Sequence, residues 1–249
     1  MTNSERNAAA RYGSVSRGYA GEIDEGLRAY MLRVYNYMAI GLAVTGVVAF
    51  AAANAAIDAS GQLTAFGQAI YLSPLRWVIM LAPLGAVLFL SFRIEKMSLA
   101  AAQATFWGFS AVMGLSLSTI FLVYTGQSIS QVFFITAASF GALSLYGYTT
   151  KRDLTGMGSF LLMGLFGIII AMIVNIFLQS SALQFAVSAI GVLIFAGLTA
   201  YDTQKIKEMY FEGDGAAVAG RKAIMGALRL YLDFINLFLF MLQFLGNRE

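Results

Sequence analysis

The sequence has no cysteine and no histidine among its 249 residues. The first absence excludes disulfides and thiol chemistry, and the second removes the commonest general base and a common metal ligand. Charged residues make up only 12% of the chain, about half the share of an ordinary soluble domain. The net charge of +3 is small and gives no reason to expect nucleic-acid binding. The chain is 59% hydrophobic, which indicates an integral membrane protein.

Seven segments are apolar and long enough, or nearly so, to cross a bilayer as helices, which takes roughly 17–25 residues. They are 35–56, 75–92, 103–124, 131–149, 157–178, 183–201 and 227–245. Residues 1–33 are polar and lack the apolar stretch of a cleavable signal, so we interpret them as a flexible cytoplasmic tail. Residues 34–246 then form the membrane domain. The expected fold class is an all-α bundle of seven transmembrane helices.

Lysine and arginine are concentrated in alternate connections. The tail and the connections after the second, fourth and sixth spans hold 13 of the 16 basic residues. Short cytoplasmic connections of membrane proteins are enriched in these residues. We therefore predict a cytoplasmic N-terminus and an external C-terminus.

Two aspartates fall within or at the end of apolar spans, Asp202 in the sixth and Asp233 in the seventh. In the predicted topology both lie toward the cytoplasmic half of adjacent helices, where they can meet. On the seventh helix, Arg229, Asn236 and Gln243 share one face with Asp233. Such a polar stripe is typical of a helix face turned toward the bundle interior or a wet cavity.

Simpler interpretations stay open for these residues. Asp202 can be an interfacial residue bonded to Lys205, and Asp233 can be a structural partner of Arg229 one turn earlier. Asn175, a lone polar residue in the apolar fifth span, is more typical of an interhelical hydrogen bond than of a ligand. We count Asn175, Asn236 and Gln243 as candidate polar lining of a path.

Two neighbouring carboxyl groups can share a proton and so sense pH without histidine. Their oxygens also suit Ca²⁺, so the pair is a candidate Ca²⁺ or proton site. A basic residue at the end of the second span can compete for it; Arg93 is the first candidate and Lys96 the second. Paired aspartates also occur in intramembrane aspartyl proteases, but the Gly-x-Gly-Asp motif and the later proline motif of those enzymes are missing. We therefore expect no enzymatic activity.

Four stretches resemble the bacterial branch of the Bax inhibitor (transmembrane Bax-inhibitor-motif) family over residues 30–245. They are LYLDFINLFLFML, YDTQKIK, MGLSLSTIF and IVNIF. The resemblance implies a bundle with the seventh helix central, in the bacterial inner membrane and without a cofactor. It also implies a pH-sensitive calcium leak, with Asp202 and Asp233 as pH sensor and gate.

The family pattern includes a basic latch for the closed state near the end of the second helix, where Arg93 and Lys96 lie. The sequence departs from the pattern at Arg229, where some relatives have a small residue, and this arginine is a third latch candidate. It also lacks the acidic residue that some relatives carry in the second span. A second implied function is restraint of a membrane-anchored quality-control protease by protein–protein contact, which depends on the tail instead of the aspartates.

The charge asymmetry predicts that reporter fusions placed after Arg152 and after Glu249 report opposite sides of the membrane. An alkaline phosphatase and a fluorescent protein fused at each position measure this. Both fusions on one side would contradict the span count.

Overall fold

The computed structural model describes residues 3–248 and the side chains of residues 25–248. Within that part the chain is helical, with isolated bridges but no β-strand. The helices are α1 (Asn3–Ala56), α2 (Ala65–Tyr71), α3 (Leu75–Arg93), α4 (Leu99–Leu117), α5 (Ile120–Val123), α6 (Gly126–Thr149), α7 (Thr155–Leu178), α8 (Ser181–Glu208) and α9 (Ala216–Leu245). A 3₁₀ turn, Ile94–Lys96, follows α3.

Seven helical stretches are long and apolar enough to cross a membrane, which confirms the predicted all-α membrane fold. They are Glu25–Ala56, Leu75–Lys96, Leu99–Val123, Gly126–Thr149, Thr155–Leu178, Ser181–Glu208 and Ala216–Leu245. Several helices extend beyond the apolar segments that predicted them: α8 continues to Glu208 and α9 begins at Ala216. Hydrophobicity marks only the part of a helix that lies in hydrocarbon, and long basic side chains let the helix continue into the interface.

The predicted tail, residues 1–33, falls largely outside the part of the chain whose side chains are described. From residue 25 onward the side chains are described, and Tyr30 and Met31 are buried in the hydrophobic core. The first helix therefore packs into the core at residues before the apolar segment at 35–56.

Helix α9 is the most buried of the seven spans. In its most apolar stretch 67% of the residues are buried, against 39% or fewer in each of the others. It packs against α1, α4, α6 and α8, whereas α3 packs mainly on α4, and α7 packs on α8. This burial supports the predicted central position of the seventh span, which stays a prediction.

Interhelical hydrogen bonds tie α9 and α8 to their neighbours. The buried Tyr231 hydroxyl of α9 lies 2.6 Å from Thr45 Oγ1 of α1, which also lies 2.9 Å from the carbonyl oxygen of Ser110 on α4. On α8, Thr203 Oγ1 lies 2.9 Å from Ser144 Oγ of α6. Such bonds are favoured in a bilayer because the apolar surroundings offer few other partners.

Helices α6 and α8 approach closely at Gly147, where an added methyl group would overlap the backbone of Ala200. We expect Gly147→Ala to lower the free energy of unfolding by about 2 kcal/mol because the two helices must separate. Thermal unfolding in detergent measures this.

Gly141→Ala is the matched control on the same helix, since its methyl group would meet nothing within 4 Å. That variant should be neutral or slightly stabilised, because alanine is the better helix former. Equal stabilities of the two variants would show that the α6–α8 contact does not depend on Gly147.

Candidate functional site

A cavity of about 660 Å³ lies among α7, α8 and α9. Its wall on α7 and much of α8 is apolar, formed by leucine, isoleucine, methionine and phenylalanine. The polar residues on its wall are Tyr201, Asp202, Arg229, Asp233, Asn236 and Gln243. The structure thus places both predicted aspartates and the whole predicted stripe of the seventh span on the wall of one cavity.

The two aspartates meet across the α8–α9 contact. The helices are joined by the short connection 209–215, so they run antiparallel and bring Asp202 beside Asp233. The two carboxyl groups lie within hydrogen-bonding reach of each other. Two bare carboxylates in contact repel, so the arrangement is stable only when a proton or a cation lies between them.

Asp233 is the more deeply placed member of the pair. Its side chain is only 4% exposed, and its Oδ2 has no hydrogen-bond partner among the described residues. A buried polar atom without a partner is costly. Oδ2 of Asp233 is therefore the ligand position that a proton or a cation would satisfy.

The simpler interpretation of Asp202 is not what the structure shows. Lys205, expected to bond Asp202, instead forms an ion pair of 2.7 Å with Glu208. Asp202 and Glu208 each lie three residues from Lys205, so a helix allows either ion pair. Glu208 lies at the end of α8, where the ion pair with Lys205 stays in contact with water.

Arg229 forms no direct ion pair with Asp233 in the described part of the chain. Besides Lys205–Glu208, the ion pair found there is Lys222–Asp214, at 2.5 Å. Arg229 nevertheless lines the cavity that holds Asp233, one turn earlier on α9. Its guanidinium group lies near enough to interact electrostatically with both carboxyl groups. The second simple interpretation, in which Arg229 neutralises Asp233, therefore stays open.

The side chains of Asn236 and Gln243, the other two residues of the stripe, each make one hydrogen bond within the described part of the chain. Asn236 donates from Nδ2 to the carbonyl oxygen of Leu232, at 2.8 Å. Gln243 accepts a bond of 3.2 Å from Ser188 on α8. Most of the remaining hydrogen-bonding capacity of these two amides is available to the cavity.

Three residues from the sequence analysis lie away from this cavity. Arg93 and Lys96 are exposed at the end of the second span and do not line it. Asn175 does not line it either, which corrects its place in the polar lining: its Oδ1 accepts a bond of 2.9 Å from the backbone N–H of Ser180. Asn175 therefore closes the α7–α8 turn, since a side-chain amide near a helix end readily bonds the adjacent backbone.

Gln204 is a structural residue that sequence reasoning missed. Its Nε2 donates to the carbonyl oxygen of Arg152 and its Oε1 accepts from the N–H of Leu154, both at 2.9 Å. These bonds attach the α6–α7 connection to α8 two residues after Asp202. In the sequence, Gln204 stands in the polar run YDTQKIK and carries no signal that separates it from its neighbours.

The site offers few ligands for a tightly held metal. Within the described residues no group of three or more acidic side chains is placed to hold a metal ion. Ca²⁺ takes 6–8 oxygen ligands, and the cavity provides two carboxylates and two amides. The cavity therefore has fewer protein ligands than a tightly bound Ca²⁺ ion requires.

Seven candidate spans and an acidic pair, of which Asp233 is buried and Asp202 partly exposed, define an integral membrane protein with a polar site between its helices. A family model described as "Inhibitor of apoptosis-promoting Bax1" matches residues 27–249. The chain belongs to this Bax inhibitor family.

Bacterial relatives match nearly the whole chain. An uncharacterized protein of Rickettsia prowazekii is 51% identical over 91% of this chain and 92% of its own length. The inner membrane protein YbhL of Escherichia coli K12 is 49% identical over 90% of this chain and 94% of its own length. A protein of Caulobacter vibrioides is 47% identical over 94% of this chain and 98% of its own length.

We expect Gln204→Leu to lower the free energy of unfolding by about 2 kcal/mol, because it strands the buried N–H of Leu154. Thermal unfolding in detergent is the measurement. Gln184→Leu makes the same replacement at an exposed position of α8 and should change stability little. Equal losses in both variants would contradict the anchoring role of Gln204.

Proposed function

We propose that the protein is a pH-sensitive cation leak whose cargo is Ca²⁺ and whose gate is the Asp202–Asp233 pair. The observation that carries the proposal is the contact between the two carboxyl groups on the wall of a cavity, with Asp233 buried. In this role the two aspartates control the passage of a cation and catalyse no reaction.

The chemistry of the pair supports gating by protons. A proton shared between the carboxyl groups holds α8 and α9 together. When that proton leaves, two like charges face each other in apolar surroundings and repel strongly. A cation can then take the place of the proton, or the helices can separate, so the path opens as pH rises.

The shape of the cavity supports transport. It follows α9 from Arg229 to Gln243, about 21 Å at 1.5 Å rise per residue. That length is a large part of the roughly 30 Å hydrocarbon core of a bilayer. Its ligands are oxygen atoms, which Ca²⁺ prefers.

The latch of the closed state has three candidates. Arg93 and Lys96 lie away from the cavity, whereas Arg229 lines it. Arg229 therefore has the better position in this structure for pairing with an ionised Asp202 or Asp233.

We further propose that the protein lies in the bacterial inner membrane with its N-terminus in the cytoplasm. The relative YbhL is named an inner membrane protein, and the basic residues favour this orientation. The alternative function, restraint of a membrane-anchored protease by contact, depends on a tail whose first 24 side chains lie outside the described part. A flux assay with purified protein separates the two, since only a leak needs no partner.

Purified protein in liposomes should pass Ca²⁺, with a flux that rises about ten-fold as pH is raised across an assay range of about pH 5 to about pH 9 and the pair ionises. Asp233→Asn should abolish this pH dependence, because an amide cannot release the shared proton. A fluorescent Ca²⁺ indicator inside the liposomes measures the flux.

Asp58→Asn is the matched control, since Asp58 is exposed in the α1–α2 connection and lines no part of the cavity. Its flux should follow the wild-type pH profile. Flux no greater than that of empty liposomes would refute the leak and favour the contact function. An unchanged pH profile in Asp233→Asn would refute the gate.

A further inference from the structure

A second cavity, of about 640 Å³, lies on the other side of the α9 polar stripe. It is bounded by the end of α3, the 3₁₀ turn, the α8–α9 connection and the first half of α9. Its lining is Val87, Ser91, Ile94, Glu95, Met209, Val218, Arg221, Lys222, Met225, Leu228, Arg229 and Leu232. Three basic side chains and one acidic side chain make this second cavity a positively charged vestibule.

The vestibule and the aspartate cavity share two residues of α9, Arg229 and Leu232. Together the two cavities follow α9 from Val218 to Gln243, about 38 Å at 1.5 Å rise per residue. This exceeds the roughly 30 Å thickness of the hydrocarbon core. The shared residues therefore stand at the junction of two cavities whose combined length along α9 is comparable to the thickness of a membrane.

Arg229 differs from the other basic residues of the vestibule in its contacts. Lys222 is paired with Asp214, and Arg221 donates to the carbonyl oxygen of Met97 at 3.4 Å. Arg229 is exposed and makes no hydrogen bond or ion pair with the described side chains. Its guanidinium group is therefore the positive charge at the junction that no direct ion pair holds, with the Asp202–Asp233 pair one turn further along α9.

We propose that Arg229 is an electrostatic barrier between the vestibule and the aspartate cavity, and that its charge rather than its bulk limits cation passage. A positive charge in a partly apolar passage repels an entering cation far more strongly than it would in open water. Leu232 supplies the apolar part of the junction and no compensating charge. The identity of the transported cation rests on the proposed leak function, but the barrier itself does not.

The absence of cysteine makes the barrier directly testable, because an introduced thiol is the only one in the chain. Asn236→Cys places a thiol beyond the junction, and Ser91→Cys places one within the vestibule. Inside-out membrane vesicles expose the predicted cytoplasmic face, on which the vestibule lies. Two membrane-impermeant methanethiosulfonates of similar size, one cationic and one anionic, are added to that face, and their reaction rates are measured.

In the Asn236→Cys background, Arg229→Gln should speed the cationic reagent about ten-fold and should not speed the anionic reagent. Arg229→Lys keeps the charge and should leave both rates near those of the parent. In the Ser91→Cys background the same replacements should alter the rates by no more than about two-fold, since reagents in the vestibule are screened by water and salt. Lys151→Gln, at an exposed position lining neither cavity, controls for the loss of one charge.

Equal acceleration of both reagents by Arg229→Gln would show a barrier of bulk and overturn the proposal. Unchanged rates for both reagents would overturn it as well. The labelling needs no Ca²⁺ transport, so its outcome is separate from that of the leak. Charge-dependent labelling in a protein that passes no Ca²⁺ would uphold the barrier and refute the leak.

Discussion

Two carboxyl groups in contact within an apolar bundle destabilise the fold unless neighbouring contacts hold them there. The residues around each aspartate supply those contacts. Thr203 and Gln204 directly follow Asp202 in the sequence. Thr203 is hydrogen-bonded to α6, and Gln204 is hydrogen-bonded to the α6–α7 connection. The hydroxyl of Tyr231, two residues before Asp233, is hydrogen-bonded to Thr45 of α1. The backbone on which the pair stands is therefore held in place by hydrogen bonds on both sides of the contact.

The uneven packing of α9 explains how one helix can belong to the hydrophobic core on some faces and line the two cavities on another. Its apolar faces contact α1, α4, α6 and α8, and they carry most of the buried residues of the span. The remaining face, with Arg229, Asn236 and Gln243, borders two cavities. A polar face can persist in a membrane helix when it is kept from lipid, and α3 and α7 stand on either side of this one.

Charge is distributed along that face in a definite order. The vestibule is positive, Arg229 stands at the junction, and the acidic pair follows one turn later. In the proposed leak, a cation that enters from the vestibule would meet repulsion before attraction. Under that proposal, entry would depend on Arg229, and binding would depend on Asp202 and Asp233.

The number of spans, the all-α class and the shared face of the stripe could be predicted from the sequence, because hydrophobicity and helical periodicity are local properties. The same reasoning placed Asp202 and Asp233 on adjacent helices at similar depth. Contacts that depend on a choice among several partners could not be read in this way. Lys205 pairs with Glu208, Asn175 closes a turn, Gln204 anchors a connection, and Arg229 joins two cavities. Each of these depends on how far apart the packed helices stand, a distance that only the tertiary structure decides.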